Sequence, residues 1–298
     1  MKSKKMSVHR SVLLNEAIEG LNLDSGKAVI DATFGGGGHS LEICRRYKGV
    51  KIIALDQDKS VFSRVDAAGC NISFVNENFR NIDKVLSAEG ERVDGIIFDL
   101  GLSSDQLENS GRGFTFMKDE PLLMTMKENP MPDDLTAGEI LNNWSEKNLA
   151  NIIYGYGEEK FSRRIARRIV EAREVKKIET TFDLVRIIES AVPAARKRGR
   201  LHPSTRTFQA IRIAVNDELG ALSEGLSKGF ELLNKGGRIA VITFHSLEDR
   251  IVKRYFKKEK EEGRAILINK KPITASAEEI KNNVRARSAK LRIIEKIK

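Results

Sequence analysis

Apolar residues recur along the chain with two different periods. Short apolar runs at 28–32, 51–55, 72–75 and 95–100 are bounded by glycine, aspartate or asparagine. They predict strands, and the run at 51–55, apolar nearly throughout, predicts a strand of a parallel sheet buried on both faces. Segments 11–21, 41–47, 60–68 and 83–88 carry a three-to-four-residue period and predict helices, the first with Ser11 as its cap. The alternation breaks after residue 100. A glycine- and serine-rich loop covers 101–116, and 120–134 adds three prolines. From 135 to 193 only helical periods appear: one helix with Ile140, Leu141 and Trp144, one over 161–173 and one over 182–191. After Pro203 one long helix is expected, capped by Ser204 or Thr205 and running through Phe208, Ile211, Val215, Leu219, Leu222, Leu226, Phe230 and Leu233, with Gly236 and Gly237 ending it. Strand 238–244, helix 247–258, strand 265–269, a polar stretch to 286 and strand 290–295 complete the pattern. The prediction is an α/β protein: a core made of 1–107 and 204–298, interrupted by an all-helical insertion at 108–203.

Charge adds a partner class. The net charge is +10, but 145–206 carries +7 and 250–298 carries +10, leaving the remainder acidic. Two basic lobes on an acidic body point to a polyanion, nucleic acid before a membrane surface, because the basic segments lack a broad apolar face. No apolar run approaches the roughly 20 residues of a membrane span. The start, MKSKKMSVHR, is basic without an apolar core, so no secretory signal is expected. Cys44 and Cys70 sit in apolar surroundings without metal spacing and are expected as reduced thiols of a cytoplasmic protein. No metal site is expected from four histidines and two cysteines without ligand spacing.

The chemistry gathers at the predicted carboxyl ends of the strands, where open α/β sheets bind ligands. VIDATFGGGGHS reads as strand, glycine turn and helix, and its four glycines allow close backbone approach to a ligand. Asp31 precedes the turn, Asp56 ends the second strand within reach of ribose hydroxyls, Phe79 follows the third, and Asp99 ends the fourth. A nicotinamide dinucleotide prefers a third glycine where Ser40 stands; S-adenosylmethionine fits an acid before the turn, a second on the ribose and an apolar adenine wall. Each residue also has a plainer reading: Asp31 and His39 as caps, Phe79 as core, His245 in TFHSLEDR as a turn residue. The helix FSRRIARRIVEAR groups Arg163, Arg164, Arg167 and Arg168 on one face, near 195–200 and Arg206, as a phosphate-binding surface or a solvated one.

Seven blocks resemble, in order, the motifs of the bacterial MraW family: HRSVLLNEAIEGL, DATFGGGGHS, DLGLSSDQL, RGFTF, PSTRTFQAIRIAVNDEL, TFHSLEDRIVK and RARSAKLR. The resemblance implies a Rossmann-like core dependent on S-adenosylmethionine, an inserted helical RNA-recognition domain, and methylation of a cytosine N(4) amine in the decoding region of 16S ribosomal RNA of the small subunit. It implies cofactor contacts from Gly37, Gly38, His39, Asp56, Phe79, Asp99 and Gln106. Asp99 is the candidate catalytic acceptor, with His245 as a second polar wall. One stretch departs from the family: DEPLLMTMKE puts Leu123, Thr125 and Lys127 where acidic, basic and acidic residues are expected. The sequence leaves open whether the protein is a monomer or a homodimer.

Overall fold

The computed structural model describes residues 11–86, 91–128, 130–197 and 201–298. In chain order the helices and strands are α1 (Leu14–Leu21), β1 (Ala28–Asp31), α2 (Gly38–Arg46), β2 (Lys51–Asp56), β3 (Ile72–Asn76), β4 (Val93–Asp99), α3 (Ser104–Asn109), α4 (Ala137–Asn143), α5 (Glu146–Gly155), α6 (Ser162–Val175), α7 (Thr181–Ala191), α8 (Ala194–Lys197), α9 (Thr205–Asn216), α10 (Glu218–Leu232), β5 (Leu233–Thr243), α11 (Ser246–Glu261), β6 (Ala265–Leu267), α12 (Ala277–Asn282) and β7 (Lys290–Lys296). Two compact units result. One comprises the described residues through Ser103 with Leu219–Lys298, the other Ser104–Glu218.

The first unit is built on a seven-stranded sheet of order β3-β2-β1-β4-β5-β7-β6. β3, β2, β1, β4 and β5 run parallel, and β7 is antiparallel to both β5 and β6. Strand alternation explains why both faces are covered. Ile30, Leu55, Ile96 and Phe98 face a core with Leu222, Leu226 and Phe230 of α10 and Val252 and Phe256 of α11. Their neighbours Val29, Ile52 and Ile97 face a second core with Ile18 of α1, Ile43 of α2 and Leu291. This is the α/β core expected from the strand pattern, Rossmann-like as the family resemblance implies, with one antiparallel strand near its edge. The second unit is helical. Leu149, Ile153, Ile165, Ile169, Leu184 and Ile188 are fully buried in it, and Thr180 and Asp183 form a reciprocal capping box at the start of α7.

Several local expectations are corrected. Ser11 does not cap α1, which is preceded by Leu13 in the left-handed region. Segments 60–68 and 83–88 contain 3-10 turns at Lys59–Arg64 and Phe79–Lys84 instead of α-helices; residues 87 and 88 lie outside the described residues. The loop at 101–116 contains α3, and the polar stretch to 286 contains α12. Helix α5 went unread because Leu149 and Ile153 alone mark its buried face. The single helix expected from 204 to 233 is two. Asp217, at φ 45° and ψ 46°, ends α9 in the left-handed region, and α9 belongs to the helical unit while α10 covers the sheet. The apolar period runs through the break because each half buries its own stripe in its own core, so the helical unit extends to Glu218 and not to 203. Gly236 and Gly237 lie within β5, where pairing with β4 jumps from Leu233 opposite Val93 to Arg238 opposite Gly95.

The cysteines are also corrected. Cys44 of α2 and Cys70, in the turn before β3, are joined in a disulfide with Cα atoms 5.7 Å apart. Crossover geometry brings the end of α2 over the β2–β3 connection, a proximity that a separation of 26 residues hides.

Candidate active site

The site is assembled where β1, β2 and β4 end. Ile30 and Asp31 lie between Ile53 and Ala54 of β2 on one side and Ile96 and Ile97 of β4 on the other, so the three terminal aspartates come from neighbouring strands. After Asp31 the chain turns through Gly35 (φ 50°) and Gly37 (φ 72°) into α2. A Cβ on Gly37 would sit 2.8 Å from the Phe34 ring, and one on Gly38 would meet the Ser11 hydroxyl. Only glycine lets the turn pack this tightly. No side chain caps the start of α2, so its first-turn amides form an electropositive edge.

Each aspartate has its own environment. Asp31 is buried and accepts from the Ser40 hydroxyl at 2.6 Å and the Thr33 amide at 3.2 Å, so it fastens the turn to α2. The capping reading of Asp31 therefore describes its contacts. Asp56 accepts from the Gly35 amide at 2.8 Å and the Asp58 amide at 2.9 Å, which aims its carboxylate across the glycine turn. Burial pushes both acids up to about 6, against the lowering effect of these hydrogen bonds.

Asp99 is the most perturbed. Burial, then the negative charges of Asp31 and Glu248, push it up to about 8. Its side chain keeps 18% exposure, while Oδ1 is enclosed without a hydrogen-bond partner. Oδ2 lies 3.7 Å from Nδ1 of His39, which is buried in the first turn of α2. The Asp99 amide donates to the Thr33 hydroxyl at 2.6 Å. Thr33 and Glu248 thus shape the site although the sequence did not single them out, and Ser40, noted only as the missing third glycine, does so by holding Asp31.

Phe79 opens the 3-10 turn after β3, half-buried, its ring edge-on to Phe98 at 5.6 Å. Gly225 of α10 makes room for it: a Cβ there would come within 2.8 Å of the ring. His245 caps α11, with Nδ1 accepting from the Glu248 amide at 3.4 Å and Nε2 3.1 Å from the Glu248 carboxylate. That carboxylate also accepts from the Phe244 and His245 amides. The structure thus groups Gly37, Gly38, His39, Asp56, Phe79, Asp99 and His245 in the sheet unit. Gln106 is in α3 of the helical unit, where it is buried.

In the helical unit, Arg163, Arg164, Arg167 and Arg168 all project from the exposed face of α6. Arg168 pairs with Glu171 at 2.8 Å and Arg167 approaches Glu146 at 3.9 Å; Arg163 and Arg164 have no acidic partner among the described residues. Arg206 donates to the Glu158 carbonyl at 2.7 Å, and Arg196 lies 3.8 Å from Glu159. Residues 198–200 of the ARKRGR run lie outside the described residues. The departure at Leu123, Thr125 and Lys127 is locally accommodated. Arg112 donates to the carbonyls of Met126 and Lys127, Asn216 brackets Met124 and Met126, and Lys127 pairs with Asp134.

Known proteins match along almost the entire chain. A ribosomal RNA small subunit methyltransferase H of Ruminiclostridium cellulolyticum is 45% identical, over 97% of this chain and 99% of its own. One of Carboxydothermus hydrogenoformans is 47% identical, over 97% and 98%. The crystal structure of an rRNA methylase from Streptococcus thermophilus aligns over 98% of this chain and 100% of its own, with a TM-score of 0.46 and 12% identity. The model of the MraW methylase family matches residues 6–297. By that match and those identities, the chain belongs to the MraW methylase family.

Proposed function

We propose that this enzyme transfers a methyl group from S-adenosylmethionine to the exocyclic N(4) amine of a cytidine in the decoding region of 16S ribosomal RNA. The observation that carries the cofactor reading is the carboxylate set at the glycine turn. Asp31, Asp56 and Asp99 end adjacent strands, all are pushed up, and no lysine or arginine pairs with them among the described residues. Such a site is short of positive charge. S-adenosylmethionine carries a sulfonium and an ammonium that match it, and a carboxylate that matches the uncapped start of α2. The relatives named for small-subunit ribosomal RNA supply the substrate class.

When bound, S-adenosylmethionine supplies an electrophilic methyl group. Asp56 would then accept from the ribose hydroxyls, Phe79 would wall the adenine, and Gly37, Gly38 and His39 would line the methionine end. The cytosine amine is a poor nucleophile, because its lone pair is delocalised into the ring. With its proton displaced by the cofactor's positive charge, the Asp99 carboxylate, whose side chain keeps 18% exposure, would accept a hydrogen bond from that amine and take up the proton it loses. His245, held by Glu248, forms the second polar wall. The helical unit docks the RNA backbone through the Arg163 and Arg164 face. A ribosomal substrate places the reaction in the cytoplasm.

The rival reading is an assembly factor that keeps the fold without turnover. Incubation with labelled S-adenosylmethionine and small ribosomal subunits separates them: the enzyme incorporates label into RNA, and the assembly factor binds without incorporation. Titration with S-adenosylmethionine and with NAD should show binding of the first alone.

A further inference from the structure

The second basic lobe has no role in the reading above. Within it, α11 begins four residues after Ile242, the β5 residue paired with Asp99, and its first turn holds the Glu248 carboxylate that acts on Asp99. Arg250, Lys253, Arg254 and Lys257 follow at i, i+3, i+4 and i+7, all exposed. That spacing sets four cations on one helix face over about 10 Å, at ~1.5 Å rise per residue. The opposite face, with Val252 and Phe256, is buried in the sheet core.

The acids of α11 leave the middle of this stripe, Lys253 and Arg254, standing. Asp249 is taken up from β7 by Arg292 at 2.7 Å and Lys290 at 3.2 Å. Glu259 is buried, 3.4 Å from Arg264. Glu261 lies 3.3 Å from Lys257, where the stripe ends. Lys253 and Arg254 have no acidic partner among the described residues. A purely solvated face would gain from interspersed acids, which are absent between 250 and 258.

We infer that the α11 stripe binds the phosphodiester backbone of the RNA strand that carries the target base, leading that strand to Asp99. The inference rests on the RNA-methyltransferase reading. It adds a backbone contact in the catalytic unit itself, so that the helical unit is not the sole anchor. Phosphates held on the helix whose first turn carries Glu248 would fix where along the strand a base can enter, a positioning role that carries no sequence information.

The test compares the Lys253→Glu/Arg254→Glu variant with a charge-matched control, Lys270→Glu/Lys271→Glu, both exposed sites on the same unit. The probe is small-subunit ribosomal RNA, with binding followed against salt. The stripe variant should lower the log–log salt slope by about 1.4 beyond the control, at ~0.7 per single-strand phosphate. It should raise KM for RNA at least fivefold and leave titration affinity for S-adenosylmethionine unchanged. Slope and KM equal to the control overturn the inference, as does a wild-type protein that binds no RNA. RNA binding with the expected slope change but no methyl transfer keeps the stripe and overturns the enzymatic reading.

Discussion

Replacing Asp99 by asparagine keeps the shape of the side chain and removes its charge. In the folded protein Asp99 is pushed up to about 8, from an unfolded value of 3.8. The folded state therefore holds this proton more tightly than the unfolded chain does. That contribution is fully present below pH ~4, and it is lost as pH rises through the window from there to about 8. At pH 7 the loss reaches about 4 kcal/mol, from ~1.4 kcal/mol per pKa unit over the three units between the unfolded value and neutrality. Asp99→Asn carries no such slope. Urea denaturation of both proteins at pH 4, 6, 7 and 8.5 should give equal stability at pH 4. The variant should gain progressively to pH 8, and the gap should level off above it. Asp31 and Asp56, pushed up to about 6, tilt both curves alike and leave the difference to Asp99. The same substitution should lower kcat by about a hundredfold or more, with a smaller loss of S-adenosylmethionine affinity. A stability difference that does not change with pH would refute the buried-carboxylate argument. Equal losses in kcat and affinity would make Asp99 a cofactor ligand only.

Other parts of the structure give further expectations. Asp56→Ala removes the acceptor of the Gly35 and Asp58 amides, and should weaken S-adenosylmethionine binding by ~1–3 kcal/mol in calorimetric titration; unchanged affinity removes Asp56 from the site. Arg163→Ala/Arg164→Ala should flatten the salt slope of RNA binding by about 1.4 without altering cofactor affinity, whereas Arg168→Ala, already paired with Glu171, should change it less. Reduction of the Cys44–Cys70 disulfide, or Cys44→Ser, should cost ~3.5 kcal/mol in denaturant unfolding by loop-closure entropy over the 26-residue separation; identical oxidised and reduced curves would show that the crosslink does not constrain the unfolded chain.

The sheet was readable because both of its faces are buried: the runs around Ile30, Ile53 and Ile97 admit little but parallel strands. The glycine turn and Asp56 were readable for a similar local reason, since turn, acid and strand end are neighbours in sequence. Periodicity was blind to which core a stripe enters, so α9 and α10 read as one helix although Asp217 divides them between two units. It was equally blind to tertiary proximity. Cys44 and Cys70, the Thr33 hydroxyl under Asp99, and the pressure of Glu248 on Asp99 all depend on how strands and crossovers stack. His245 looked like a pocket residue from its place after β5, and the structure commits it to capping α11 as well. Gln106 and the segment around Leu123 were marked by family resemblance alone, and no pattern of burial or charge pointed to them.

The proposed reaction modifies one atom of one base. Small-subunit ribosomal RNA, incubated with the enzyme and isotopically labelled S-adenosylmethionine, should be digested to nucleosides and mapped by mass. One labelled methyl group should appear, on the N(4) amine of a cytidine in the decoding region, and be lost in the Asp99→Asn variant. A methyl group on carbon 5 would contradict the proposal, because that chemistry needs a cysteine nucleophile and the disulfide occupies both Cys44 and Cys70.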